Sequence, residues 1–144
     1  MPKHSAQILV RAKPEDVFAE VPATWMSQME QISAGPIGLH TRFALRTDRI
    51  RYWDVIEYEP PHRFAMAHRP RENSVPVVYR YVIVSDSTGT RVRLVASMTY
   101  PLLTVIFKLG LFAPIMLPIV KAQLRKIDLD NLLTDLKRRA EIMA

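Results

Sequence analysis

Asp54 is the carboxylate best placed for acid–base chemistry, because it sits inside the apolar run Ile50-Arg51-Tyr52-Trp53-Asp54-Val55-Ile56. If it shares an inward face with Ile50, Tyr52 and Ile56, loss of water raises its pKa and makes it a general base. If Trp53 and Val55 face inward instead, Asp54 is a surface carboxylate pairing with an arginine. His68 has the strand parity of Phe64 and Met66, so it either reaches an interior as a hydrogen-bonding group or sits on a rim. His62 and His68 lie roughly 20 Å apart along a strand, too far to share a metal. His4 and His40 add no ligand spacing, so neither a metal nor any other cofactor is expected. Tyr79 and Tyr81 share parity with Val77 and Ile83, and Tyr100 with Met98. Phenols in an apolar pocket orient a ligand carbonyl, and equally they serve as hydrogen-bonded core residues.

Composition narrows the field. There is no cysteine, so thiolate nucleophiles, thiolate metal sites and disulfides are excluded. No Gly-x-Ser-x-Gly, P-loop or dinucleotide fingerprint occurs, and four glycines leave little for a phosphate cradle. The net charge of +6 favours anionic partners. The clusters Lys121/Arg125/Lys126 and Lys137/Arg138/Arg139 lack interleaved aromatics and read as the wet side of a helix, so no nucleic-acid partner is expected. At 144 residues the chain makes one domain, 1–144. Met1-Pro2-Lys3-His4 leads straight into a strand without a signal-peptide apolar region, and a cytoplasmic protein is expected.

The elements follow from periodicity. Ser5–Ala12 alternates as a first strand, and Lys13-Pro14-Glu15-Asp16 opens a helix with proline and two acids in its first turn. Pro22 is expected to end that helix, and Ala23–Ile32, with Trp25, Met26, Met29 and Ile32, reads as a second short one. Five strands follow at Leu39–Arg46, Ile50–Glu59, His62–Arg69, Val75–Ser85 and Thr90–Tyr100. Asp86-Ser87-Thr88-Gly89 forms a hairpin turn. Their alternation gives one apolar face and one arginine-rich face, as in an antiparallel sheet wetted on one side.

Pro101–Ala144 closes the chain with the apolar run Leu102–Val120 and a charged amphipathic helix. Lys108, Gly110, Pro114 and Pro118 interrupt the run, so burial in the fold is expected rather than a membrane span. A short helix is expected near Leu102–Phe112 and the main helix from Pro114 or Pro118. The apolar stripe of that helix rotates: Met116, Val120, Leu124 and Ile127 share one face, and Leu132, Leu133, Leu136, Ala140 and Met143 another. The helix is therefore broken or kinked near Asp128, or its first half faces a cavity, a partner chain or a membrane.

This order of elements resembles the START/SRPBCC superfamily, the helix-grip fold, and within it the polyketide cyclase/dehydrase and lipid-transport group. The likeness rests on Lys13-Pro14-Glu15-Asp16-Val17-Phe18, on Trp25 and on Gly38-Leu39-His40-Thr41-Arg42-Phe43. It continues through Trp53-Asp54-Val55-Ile56-Glu57-Tyr58-Glu59-Pro60-Pro61-His62-Arg63-Phe64, Gly89-Thr90-Arg91-Val92 and Asp128-Leu129-Asp130-Asn131-Leu132 to Glu141. It covers nearly the whole chain, and its motifs are structural rather than catalytic. It implies an α+β fold: a curved antiparallel sheet wrapped around a long C-terminal helix, with two short helices after the first strand. The family sheet would need one of the six strands split. It also implies that Trp53 and Val55 point inward, Asp54 outward, and that a cavity lies between sheet and helices.

The reading is therefore a protein that binds, or transports, a hydrophobic small molecule or lipid. The expected ligand-lining residues are Trp25, Met29, Phe43, Trp53, Phe64, Met66, His68, Tyr81, Leu94, Met98, Phe107, Phe112 and Met116; methionines suit a pocket that repacks. The alternative is a polyketide cyclase/dehydrase-like enzyme, which needs a charged residue or histidine facing inward, and no catalytic residue is assigned. Peripheral membrane contact and a homodimer remain as partners for the apolar run.

Overall fold

In the computed structural model the described residues are 3–26, 29–47, 51–69, 77–98 and 128–143. Their elements are β1 (Lys3–Val10), α1 (Pro14–Trp25), β2 (Met29–Gln31), β3 (Arg42–Leu45), β4 (Tyr52–Glu59), β5 (Arg63–Arg69), β6 (Val77–Asp86), β7 (Gly89–Met98) and α2 (Leu129–Met143). The strands form one antiparallel sheet in the order β1-β7-β6-β5-β4-β3-β2. The first strand thus joins the last, from Lys3 opposite Ser97 to Val10 opposite Thr90. The expected short helix at Leu102–Phe112 and the helix start at Pro114 or Pro118 lie outside the described residues.

Strict alternation puts Phe43, Trp53, Val55, Phe64, Met66, Tyr81, Ile83, Val92 and Leu94 in the core. On α2, Leu129, Leu133, Leu136 and Ala140 recur at helical spacing on one face and are all buried. That face packs on α1 and β1, and more lightly on β7. A curved sheet gripping a C-terminal helix is the helix-grip arrangement.

Three differences from the sequence reading have local causes. The segment expected to hold two short helices holds one, because α1 runs through Pro22 and ends at Trp25. A proline in the last turn costs a single intrahelical bond, and the helix end is secured by Met26 N–H donating to the Pro22 carbonyl and Thr24 Oγ1 to Val21. Met29 and Ile32, read as a helical stripe, belong to β2 and the position just after it. Met29–Gln31 pairs with Phe43–Leu45, which buries Met29 and leaves Ile32 exposed. The extra strand therefore comes from the expected second helix, with none of the six strands split.

The third concerns β4. Trp53 and Val55 face inward, and a bulge between Val55 and Glu57 leaves Ile56 44% exposed. The bulge shifts parity by one residue, so Tyr58 also turns inward, edge-on to Phe18 at 5.3 Å. No single alternation describes this strand.

The rotation of the apolar stripe falls at a helix start. Asp128 Oδ1 accepts from the Asn131 N–H at 3.0 Å, and its carbonyl accepts from Leu132 at 3.4 Å, a side-chain cap on α2. Among the described residues no helix is long and apolar enough to cross a membrane. Asp128→Ala should cost about 1 kcal/mol in chemical denaturation, the usual loss of a capping carboxylate; no change would mean the cap contributes nothing. At the β6–β7 turn, Gly89 has φ 155°, and a Cβ there would run into the Val10 carbonyl oxygen. Gly89→Val should therefore cost about 1 kcal/mol or more, and an unaltered melting temperature would refute this.

Candidate functional site

A cavity of ≈ 280 Å³ opens between the ends of the two helices and the β2–β3–β4 end of the sheet. Thr24 and Trp25 from the end of α1, Met29 of β2, Leu45 of β3 and Trp53 of β4 line it, opposite Asn131, Leu132 and Asp135 in the first turns of α2. Each place follows from local structure. The termination of α1 turns the Trp25 indole toward the sheet; alternation turns Leu45 and Trp53 inward; and the Asp128 cap starts α2 so that Leu132 lies beside the buried Leu129–Leu133 stripe.

The two tryptophans are treated differently. Trp25 Nε1 donates to the Tyr81 hydroxyl at 2.9 Å, and its ring meets Tyr79 edge-on at 5.0 Å. Tyr81 is wholly buried; burial pushes its phenol well above the ordinary value, with hydrogen bonds to Trp25 and Thr24 opposing. It is a locked core hydroxyl. Trp53 stacks on His68, its cross-strand partner, with ring centroids 4.0 Å apart and planes 12° from parallel. Its Nε1 is buried and has no hydrogen-bond partner.

His68 Nδ1 lies 3.3 Å from the Tyr52 carbonyl; a carbonyl only accepts, so this nitrogen carries the proton. Burial lowers the His68 pKa, the Tyr52 carbonyl pulls it up, and Arg51 lowers it further. Asp135 receives Arg138 Nη2 at 2.6 Å and Arg139 Nε at 3.0 Å. Its partial burial pulls upward, but these two arginines outweigh it and hold the carboxyl below its usual value.

Of the expected ligand-lining residues, Trp25, Met29 and Trp53 meet at the cavity. Phe43, Phe64, Met66, Tyr81 and Leu94 form packed core behind it, and His68 backs Trp53 without appearing on the wall. Met98 ends β7, while Phe107, Phe112 and Met116 lie outside the described residues, as does Tyr100. Thr24, Leu45, Asn131, Leu132 and Asp135 were not singled out. Leu45 had the parity of Phe43, and Leu132 belonged to the C-terminal apolar stripe; the polar three carried no sequence signal. Asp54 faces outward and receives Arg42 Nε at 2.7 Å, so it is the arginine-paired surface carboxylate of the two readings. Among the described residues no cluster of histidine and carboxylate groups is arranged to hold a metal.

No family model matches the chain, and no curated protein matches it in sequence. Solved structures do. MLL2253 from Mesorhizobium loti superposes with TM-score 0.63 at 11% identity, covering 99% of this chain and 98% of its own. TTHA0849 from Thermus thermophilus gives 0.57 at 18%, covering 99% of each. The solution structure of the Aha1 dimer from Colwellia psychrerythraea gives 0.50 at 13%, covering 86% of this chain and 96% of that one. At these identities the likeness is one of fold.

The buried histidine yields a pH dependence. The lowered folded-state pKa means that, as pH falls below about 6.5, the unfolded chain takes up the proton first and stability drops. His68→Phe keeps an aromatic stack and removes the titration. The parent should lose more melting temperature than His68→Phe between pH 7 and pH 5, and parallel profiles would contradict this.

Proposed function

We propose that the chain binds a hydrophobic small molecule or lipid in the cavity between its sheet and helices, in the manner of the START/SRPBCC superfamily. The observation that carries this reading is the ≈ 280 Å³ of space walled by two indoles, Met29, Leu45 and Leu132 together with Thr24, Asn131 and Asp135, beside a core of buried apolar residues. A water occupies about 30 Å³ of liquid, so the space suits a compact apolar molecule or one end of a longer one. The hydroxyl of Tyr81 is held by Trp25, and Asp135 is held ionised between two arginines. Neither is poised to exchange a proton with a ligand, which supports binding over the cyclase-type alternative.

Native mass spectrometry of the purified chain should show a retained apolar molecule. Two leucines on α2 separate a pocket from a solid core. Leu136 is fully buried, and Leu136→Ala should cost roughly 2–5 kcal/mol. Leu132 borders the cavity, so Leu132→Ala should cost less and change the affinity for an apolar probe dye. Equal destabilisation with unchanged dye binding would remove the pocket reading.

A further inference from the structure

The outer face of the sheet, across from the cavity, carries its charge unevenly. Two of its arginines, Arg42 and Arg80, are each matched by a carboxylate of β4. Arg42 sits opposite Asp54 and bonds to it. Arg80 reaches over buried Ala65 to Glu57 at 3.7 Å. Among the described residues no carboxylate is ion-paired with Arg63 of β5 or Arg93 of β7. The register sets Gln7, Arg93, Val82 and Arg63 side by side across β1, β7, β6 and β5. Arg63 and Arg93 are exposed. Glu59 lies opposite Arg63 at the end of that row, and no ion pair joins them. Around Arg93 the facing and diagonal positions on the neighbouring strands are Gln7, Val82, Ser5, Leu9, Arg80 and Val84, with no carboxylate among them. The next row sets Leu9, 37% exposed, and Val84, 54% exposed, on either side of Arg91. Arg91 is paired with Asp86 yet remains largely exposed.

We propose that this face, centred on Arg93, docks on an anionic lipid bilayer surface. Arginines interleaved with exposed aliphatic side chains match the boundary between headgroups and acyl chains, where charge meets phosphate and methyl groups enter the apolar layer. A single-stranded nucleic acid would call for aromatic platforms between the arginines, and this patch has only Leu9, Val82 and Val84. The inference stands on the sheet exterior and is independent of whether the cavity holds a ligand.

Co-sedimentation of the full chain with phosphatidylcholine vesicles, with and without phosphatidylserine, tests it. The chain should pellet with phosphatidylserine-containing vesicles, weakly with pure phosphatidylcholine, and less as salt rises. The double variant Arg63→Gln/Arg93→Gln should weaken binding about tenfold or more. Gln7→Glu places a carboxylate opposite Arg93 without touching an arginine and should also weaken it. Val84→Ser should cost a few-fold, roughly the loss of one small apolar contact. Arg42→Gln, on the matched part of the face, should change little. Melting temperatures near the parent value establish that each variant folds. Absence of vesicle binding by the parent overturns the proposal. So does equal binding by the double variant and Gln7→Glu, or a loss with Arg42→Gln as large as theirs. Binding to DNA at the same salt that matches or exceeds binding to vesicles overturns it as well.

Discussion

A sheet with one apolar face must have that face covered, and this requirement shapes the rest of the molecule. Seven strands present a wide inner surface, and among the described residues two helices are available to cover it. Both pack toward one end: α2 on β1 and β7, and α1 on α2 and β6. There Val10, Ile83, Val92 and Leu136 are all fully buried. At the β2–β3–β4 end the cavity is bordered by the adjoining termini of the two helices. Two hydrogen-bonding devices set the adjoining ends of the two described helices that border it. Thr24 and Met26 bond back at the end of α1, and Asp128 caps the beginning of α2.

Much of this was legible in the residues because alternation and helical spacing report burial directly. The faces of β5, β6 and β7 follow from parity, and the break in the C-terminal stripe at Asp128 marks a real helix boundary. One reading went astray where local and tertiary signals compete. Trp25, Met29 and Ile32 have helical spacing by coincidence, and pairing with β3 makes Met29–Gln31 a strand. The mixed parity around Asp54 records the bulge at Ile56, which moves the register within a single strand. The cavity wall was harder to foresee. Asn131 and Asp135 reach it because of how α2 meets α1, and nothing in their own neighbourhood encodes that meeting.

The two indoles at the cavity show how similar residues acquire different roles. Trp25 is held by a hydrogen bond to a fully buried tyrosine, so its orientation is fixed by chemistry as well as shape. Trp53 packs in the core and stacks on a histidine whose protonation burial disfavours. Its unpaired N–H forgoes the roughly 1–3 kcal/mol that a buried donor ordinarily recovers. One indole is therefore oriented by a hydrogen bond and the other by packing and stacking.

Joining β1 to β7 also orders events in time. Val10 pairs with Thr90 and Lys3 with Ser97, partners separated by 80 and 94 positions along the chain. During synthesis at about 5–20 residues per second, β1 waits roughly 4–19 seconds for the strand that receives it. It must pass that interval as an unpaired strand with alternating apolar side chains, and long-range pairing of this kind is intrinsically slow. A strand made well before its partner is thus among the last to be locked in place, and the sheet is not finished on that side until the hairpin of β6 and β7 exists.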